Sequence, residues 1–110
     1  MVYIQIQWTC ASIEEAKKIA KELVKKKWVA CANILPQVES LYIWEGAIQE
    51  DKEVKVFFKT KEEFFPRIRD FIIEHASYDV PEIAQTQVTD ANPDYVQWLY
   101  QSLEDGINPE

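Results

Sequence analysis

The chain reads as an α+β domain, β-α-β-β-α-β with one more helix at its end, and three observations carry that reading. The stretch SLYIWEGAIQEDKEVKVFFKT, Ser40 to Thr60, is two strand-like runs around Glu45-Gly46, and a glycine there supplies the positive φ that a tight reversal needs. Two Ser/Thr-x-x-Glu strings, Ser12 to Glu15 and Thr60 to Glu63, each precede an apolar stripe at helical spacing, the mark of a capped helix start. Val2, Ile4, Ile6 and Trp8 alternate with Tyr3, Gln5 and Gln7, the period of a half-buried strand. In chain order these elements form the split βαβ, or ferredoxin-like, arrangement: an antiparallel sheet with two helices on one face.

After the first strand, Ser12 caps a helix whose stripe is Ala16, Ile19, Ala20, Leu23 and Val24. Lys25-Lys26-Lys27 closes it, where cations suit the helix dipole; an anion or membrane patch is the other reading of that run. Trp28 to Leu35 is almost continuously apolar, which predicts a central strand. With Pro36 as an interruption, the strand-like run continues to Trp44. Val54, Val56 and Phe58 alternate with Lys55, Phe57 and Lys59 on the far side of the turn. The charged Glu50-Asp51-Lys52-Glu53 between them predicts a bulge or an exposed bend. The resulting ribbon is too long for one small domain to cover, so its projecting end calls for a partner.

The second helix carries Phe64, Phe65, Ile68, Phe71, Ile72 and His75 on one stripe. Pro66 is tolerated only in a first turn, so the helix is expected to begin later than Thr60-x-x-Glu63 suggests. Tyr78 to Glu82 is a loop into a fourth strand, Ile83 to Thr89. Asn92-Pro93 opens a last helix with Tyr95, Trp98, Leu99 and Leu103 inward, ended by Gly106 and Pro109.

At 110 residues the chain is expected to be one domain, residues 1–110, with a core large enough to need no staples. Nineteen Asp and Glu against twelve Lys and Arg leave a net charge of −7. That disfavours a nucleic-acid partner, whose phosphates want a basic face. No apolar run is long enough to span a bilayer and no signal-peptide pattern is visible, so a cytoplasmic protein without a membrane partner is expected. Cys10 and Cys31 are then free thiols. Cys10, just past the first strand, is expected to be the more exposed and more reactive of the two.

Several strings converge on one family. Cys31-Ala-Asn-Ile-Leu-Pro36, Ser40-Leu-Tyr-Ile-Trp-Glu-Gly46, Glu53 through Thr60, Tyr78-Asp-Val-Pro-Glu82, and Asp94-Tyr95 with Trp98-Leu99 together resemble the CutA divalent-cation tolerance proteins. The resemblance runs in order along nearly the whole chain. It implies a homotrimer with the PII-like version of this fold, long hairpins that pair between subunits, and divalent metal ions, copper above all, as ligands. The family commonly places His-Pro before the Tyr of Tyr-x-x-Pro-Glu. This chain has Ala76-Ser77 there, and its one histidine sits a residue earlier, at His75.

From the residues alone, metal chemistry is thinly supplied, since a zinc or copper site wants clustered His and Cys. Cys31 in an apolar strand is ordinarily a buried structural thiol, His75 a helix-end histidine, and Glu53 and Glu82 solvated carboxylates. Carboxylates from neighbouring subunits nonetheless suit a composite, weak cation site, and Cys31, Glu53, His75 and Glu82 are the candidate ligands. Copper stands first among divalent ions for such donors, with no cofactor obligatory. Tyr42 and Trp44 are candidates for the trimer interface, with ligand stacking as the alternative. Lys59 is expected to pair with a carboxylate. No phosphate loop, nucleophile elbow or HExxH motif is present, and a single histidine leaves no Ser/His/Asp set, so no enzyme is expected. An acylphosphatase-like hydrolase lacks the glycines for an anion cradle, and an RNA-binding module lacks the basic sheet face. A PII-like trimeric small-molecule sensor is the alternative to a divalent-cation tolerance protein.

Overall fold

A computed structural model describes residues 2–107. The elements are β1 (Tyr3–Cys10), α1 (Ile13–Lys25), β2 (Cys31–Trp44), β3 (Ala47–Thr60), a 3-10 turn (Glu62–Phe64), α2 (Phe65–His75), β4 (Ile83–Val88) and α3 (Pro93–Gln101). They realise the expected α+β order. The strands form one antiparallel sheet in the order β2-β3-β1-β4.

One sheet face carries the core. Ile4, Ile6 and Trp8 of β1 and Val56 and Phe58 of β3 are all fully buried there, and Trp8 stacks on Phe58 with ring centroids 6.3 Å apart. α1 adds Ala16, Ile19, Ala20 and Leu23, and α2 adds Ile68 and Ile72. The opposite face carries the alternate residues, among them the half-buried Gln5, Lys55 and Lys59. α3 lies at one end of the sheet. Its Tyr95 meets Tyr3 edge-on and its Tyr100 hydroxyl donates to the Val2 carbonyl at 2.7 Å.

Ser12 caps α1 as expected, its Oγ accepting from the Glu15 amide at 3.2 Å. The reciprocal half of the box is absent, because the Glu15 carboxylate accepts from the amide and hydroxyl of Ser77 instead. The lysine run ends α1 through backbone geometry: Lys27 adopts φ 60°, its amide reaches the Val24 carbonyl, and the Trp28 amide reaches Leu23. This is a Schellman motif with lysine in the left-handed position.

Four expectations are corrected. The apolar run from Trp28 is not a central strand: β2 starts at Cys31 and lies on the sheet edge, apolar because α1 and α3 flank it, and its edge position is what tolerates Pro36. Glu50 to Glu53 is neither bulge nor bend. It pairs regularly with Leu41 to Val38, and the register shift falls on the other strand, between Leu35 and Val38. Thr60 caps no helix; it ends β3, fully buried, and donates to the Trp28 carbonyl at 2.6 Å. Pro66 accordingly sits in the first turn of α2. Trp98 is about half exposed rather than inward. Gly106 comes five positions after α3 ends at Gln101, and Pro109 lies outside the described residues.

β2 and β3 are 14 residues each and stretch the molecule to 49 Å against 25 and 22 Å across. Glu45 and Gly46, at φ 51° and 80°, make the two-residue reversal at the tip. Beyond the domain body the ribbon exposes Leu41, Ile43, Trp44 and Ile48.

Candidate functional site

The root of that ribbon and the loop before β4 enclose an open cleft of about 900 Å³. The register assembles it. Thr9 and Lys55 are cross-strand partners on the sheet face opposite the core. One step past the last β1–β4 pair, the Thr9 amide holds the Glu82 carbonyl at 3.4 Å. That places the Glu82 side chain over both neighbours: Oε1 accepts from Thr9 Oγ1 at 2.6 Å and from Lys55 Nζ at 2.8 Å. Lys55 and then Thr9 hold the Glu82 carboxyl below the usual carboxylate range.

Glu53, two residues before Lys55, shares that face of β3. Its Oε2 accepts from the Tyr78 hydroxyl at 2.8 Å. Burial first, and then the Glu53 carboxylate, push the Tyr78 phenol far above its ordinary value, so Tyr78 stays a neutral donor. Farther out, the Tyr42 hydroxyl donates to Asp51, which raises the Tyr42 pKa. Trp44 and Asp79 complete the walls.

The cleft therefore sets four carboxylates, Asp51, Glu53, Asp79 and Glu82, against one lysine. Among the described residues, Glu53 keeps Oε1 and Glu82 keeps Oε2 without a protein partner. Such a surface attracts cations and offers hard oxygen donors, the set that suits magnesium, calcium or manganese and also supplies part of a copper site. Among the described residues no three His, Cys, Asp or Glu side chains converge to hold a metal ion. The described residues of one chain thus supply part of a coordination shell and no closed site.

The structure brings together Glu53, Glu82, Tyr42 and Trp44 and separates the other two candidates from them. His75 is exposed at the end of α2, stacked on Phe71 at 4.2 Å with Nδ1 2.9 Å from the Phe71 carbonyl. Cys31 opens β2 beside α3, its Sγ 4.0 Å from the Tyr95 hydroxyl. The two thiols are reversed from expectation. Cys10 is buried beneath α1, and burial with the nearby Glu15 charge raises its pKa to about 11, whereas Cys31 is half-buried. Lys59 donates to Asn33 at 2.8 Å rather than to a carboxylate. Sequence reasoning missed Thr9, Lys55 and Tyr78 as cleft residues. Thr9 and Lys55 were visible only as the polar beats of alternating strands, and which beats meet is a matter of register.

Residues 4–102 match the family model described as CutA1 divalent ion tolerance protein. "Divalent-cation tolerance protein CutA" of Pyrococcus horikoshii is 44% identical over 86 residues, 78% of this chain and 83% of that protein. "Protein CutA" of Mus musculus is 37% identical over 100 residues, 91% of this chain and 56% of the mouse protein. The chain thus spans a little over half the length of the mammalian relatives it matches. The crystal structure of CutA1 from Oryza sativa superposes with a TM-score of 0.90 at 31% identity, covering 96% of both chains. One relative from Arabidopsis thaliana is named "Protein CutA, chloroplastic".

Proposed function

The chain belongs to the CutA1 divalent ion tolerance protein family, and from that premise we propose that it is a homotrimeric, single-domain cation-tolerance protein that binds divalent ions weakly at clefts between subunits. The observation that carries the reading is the carboxylate-lined cleft, where Glu53 and Glu82 each present an unengaged oxygen. The exposed ribbon supports the trimer: Leu41, Ile43, Trp44 and Ile48 need a cover that one chain does not supply. Tyr42 and Trp44 then belong to the interface that closes the cleft.

Copper is the ion expected to register first, since it heads the divalent affinity order for nitrogen, oxygen and sulfur donors. Glu53 and Glu82 form the core of the site, and Cys31 and His75 join it only when a neighbouring subunit brings them. Binding weakens as pH falls, because protons compete for the same lone pairs. The reading includes no catalytic turnover and no obligatory cofactor. It takes the cytoplasm as the place of action, supported by two free thiols, and cell fractionation checks this.

Copper titrated at high ionic strength into the wild type, Glu53→Gln, Glu82→Gln, Cys31→Ser and His75→Ala tests the site, since diffuse attraction screens away and coordination survives. Weaker binding in the two glutamate variants is expected; no change in any of the four sinks the site. Light scattering with and without copper tests the trimer, and a monomer mass at micromolar concentration sinks it. Nucleotide titration of the same sample distinguishes a trimeric small-molecule sensor.

A further inference from the structure

We propose that Glu15 is a positioning residue for the cation cleft: it lines no part of the cleft and acts by clasping the loop that carries Tyr78 and Glu82. The inference rests on the cation reading above and extends it to α1, on the other side of the sheet.

Residues 76–82 join α2 to β4 and bring Tyr78, Asp79 and Glu82 to the cleft wall. The far end of this loop is tied to the sheet. There the Thr9 amide holds the Glu82 carbonyl, and the Glu82 side chain accepts from Thr9 and Lys55. In between, Val80 is 90% exposed and gives no anchorage by packing. The near end is fixed by α1. Ser77 donates its amide to Glu15 Oε2 at 2.7 Å and its hydroxyl to Oε1 at 3.0 Å. Two bonds from one residue to both oxygens of a carboxylate set its orientation as well as its place, and the charge strengthens each. The next residue is Tyr78, whose hydroxyl reaches Glu53 at 2.8 Å. A clasp at Ser77 thus aims the phenol that engages one oxygen of Glu53 and leaves the other open to the cleft.

Two other tasks of Glu15 do not require this contact. The α1 cap needs only its backbone amide, which donates to Ser12 Oγ. An acid in the first turn suits the helix dipole, and Glu14 fills that role as well. Among the described residues the Glu15 carboxylate is in no ion pair, so its strongest contacts are those to the loop. A loop ordered in advance spares the ion the conformational entropy of assembling its own site. Glu15 also lines an open groove with Lys18, Glu22 and His75, so a clasp has to be told apart from a ligand.

Manganese titration, followed by the electron paramagnetic resonance signal of the free ion, tests the proposal on the full chain. Glu15→Ala is expected to weaken binding at least about threefold, the scale of a charge-assisted bond discounted for exposure. Glu14→Ala removes the same charge from the same turn and is expected to leave binding unchanged. Equal losses mean a general field effect and overturn the proposal. Ser77→Ala, which removes one of the two donors, is expected to weaken binding less, and to cost nothing further in a Glu15→Ala chain. Additive losses overturn the clasp. In a His75→Ala background the loss from Glu15→Ala is expected to persist; its disappearance makes Glu15 a ligand beside His75 and overturns the proposal too. Hydrogen exchange without metal gives a second readout: the Ser77 and Tyr78 amides are expected to exchange faster in Glu15→Ala, and unchanged exchange overturns the clasp. Manganese bound equally by wild type and Glu15→Ala overturns this inference alone. A wild type that binds no manganese overturns the cation reading and this inference with it.

Discussion

The same two strands build two regions with opposite surroundings. At their domain end β2 and β3 lie against helices, and Val56 and Phe58 are fully buried. Beyond Pro36 the register continues to the turn at Glu45-Gly46, but Leu41, Ile43, Trp44 and Ile48 stand exposed. Ladder hydrogen bonds are common to both halves, so they are not what separates them. The difference is what lies over the side chains: helices cover one half, and the other keeps its apolar side chains uncovered within the chain.

The contrast is sharpest for one residue type. Trp8 is fully buried and Trp44 is 62% exposed. Trp8→Ala is expected to cost about 3–5 kcal/mol in denaturant unfolding, from lost burial and the cavity left behind. Trp44→Ala is expected to cost no more than about 0.5 kcal/mol in chains dilute enough to be apart, while lowering the mass seen by light scattering at higher concentration. Equal costs in dilute chains break the comparison, because the arm would then have cover of its own.

At the tip the cost is conformational. Gly46 has φ +80° and open space where a Cβ would go, so Gly46→Ala is expected to cost about 1 kcal/mol from backbone strain alone. A loss of several kcal/mol would show that packing, absent from the free arm, governs the turn.

The cysteines extend the comparison to reactivity. Cys31 is expected to react with iodoacetamide in the native protein at neutral pH and Cys10 to react only on unfolding, since the thiolate is the nucleophile. The native state holds the Cys10 proton more tightly than the unfolded chain does. Its contribution is therefore complete below the ordinary thiol value of 9.0 and lost as pH rises toward about 11. Thermal melts across that range should show a decline that is smaller in Cys10→Ala. Matched labelling rates for the two thiols in the native protein would overturn the assignment.

Much of what depends on local pattern was legible in the chain: the alternation of β1, the Ser12 cap and the Glu45-Gly46 reversal each need only a few adjacent residues, whereas Thr60-x-x-Glu63, the same box in sequence, caps nothing because Thr60 is held by the distant Trp28 carbonyl. What failed depended on neighbours distant in sequence. An edge strand flanked by α1 and α3 has the same apolar composition as a central one, so Trp28–Leu35 gave no sign of its place. Glu50–Glu53 looked like a break because charge is uncommon inside strands, yet an uncovered ribbon face has no objection to it. The cleft was half legible. Glu53, Glu82, Tyr42 and Trp44 stand in recognisable strings, whereas Thr9, Lys55 and Tyr78 enter through register and a loop that carries the chain back to β1.

The strand order also imposes a timetable. β1 is made first, yet it pairs only with β3, through Thr60, and with β4, through Val88. During synthesis it must wait for Thr60 to meet β3 and for nearly the whole chain to meet β4, while β2 and β3 close locally. The nascent protein therefore displays its sticky ribbon before its core can form. Neighbouring chains on one messenger would meet arm to arm before either is finished.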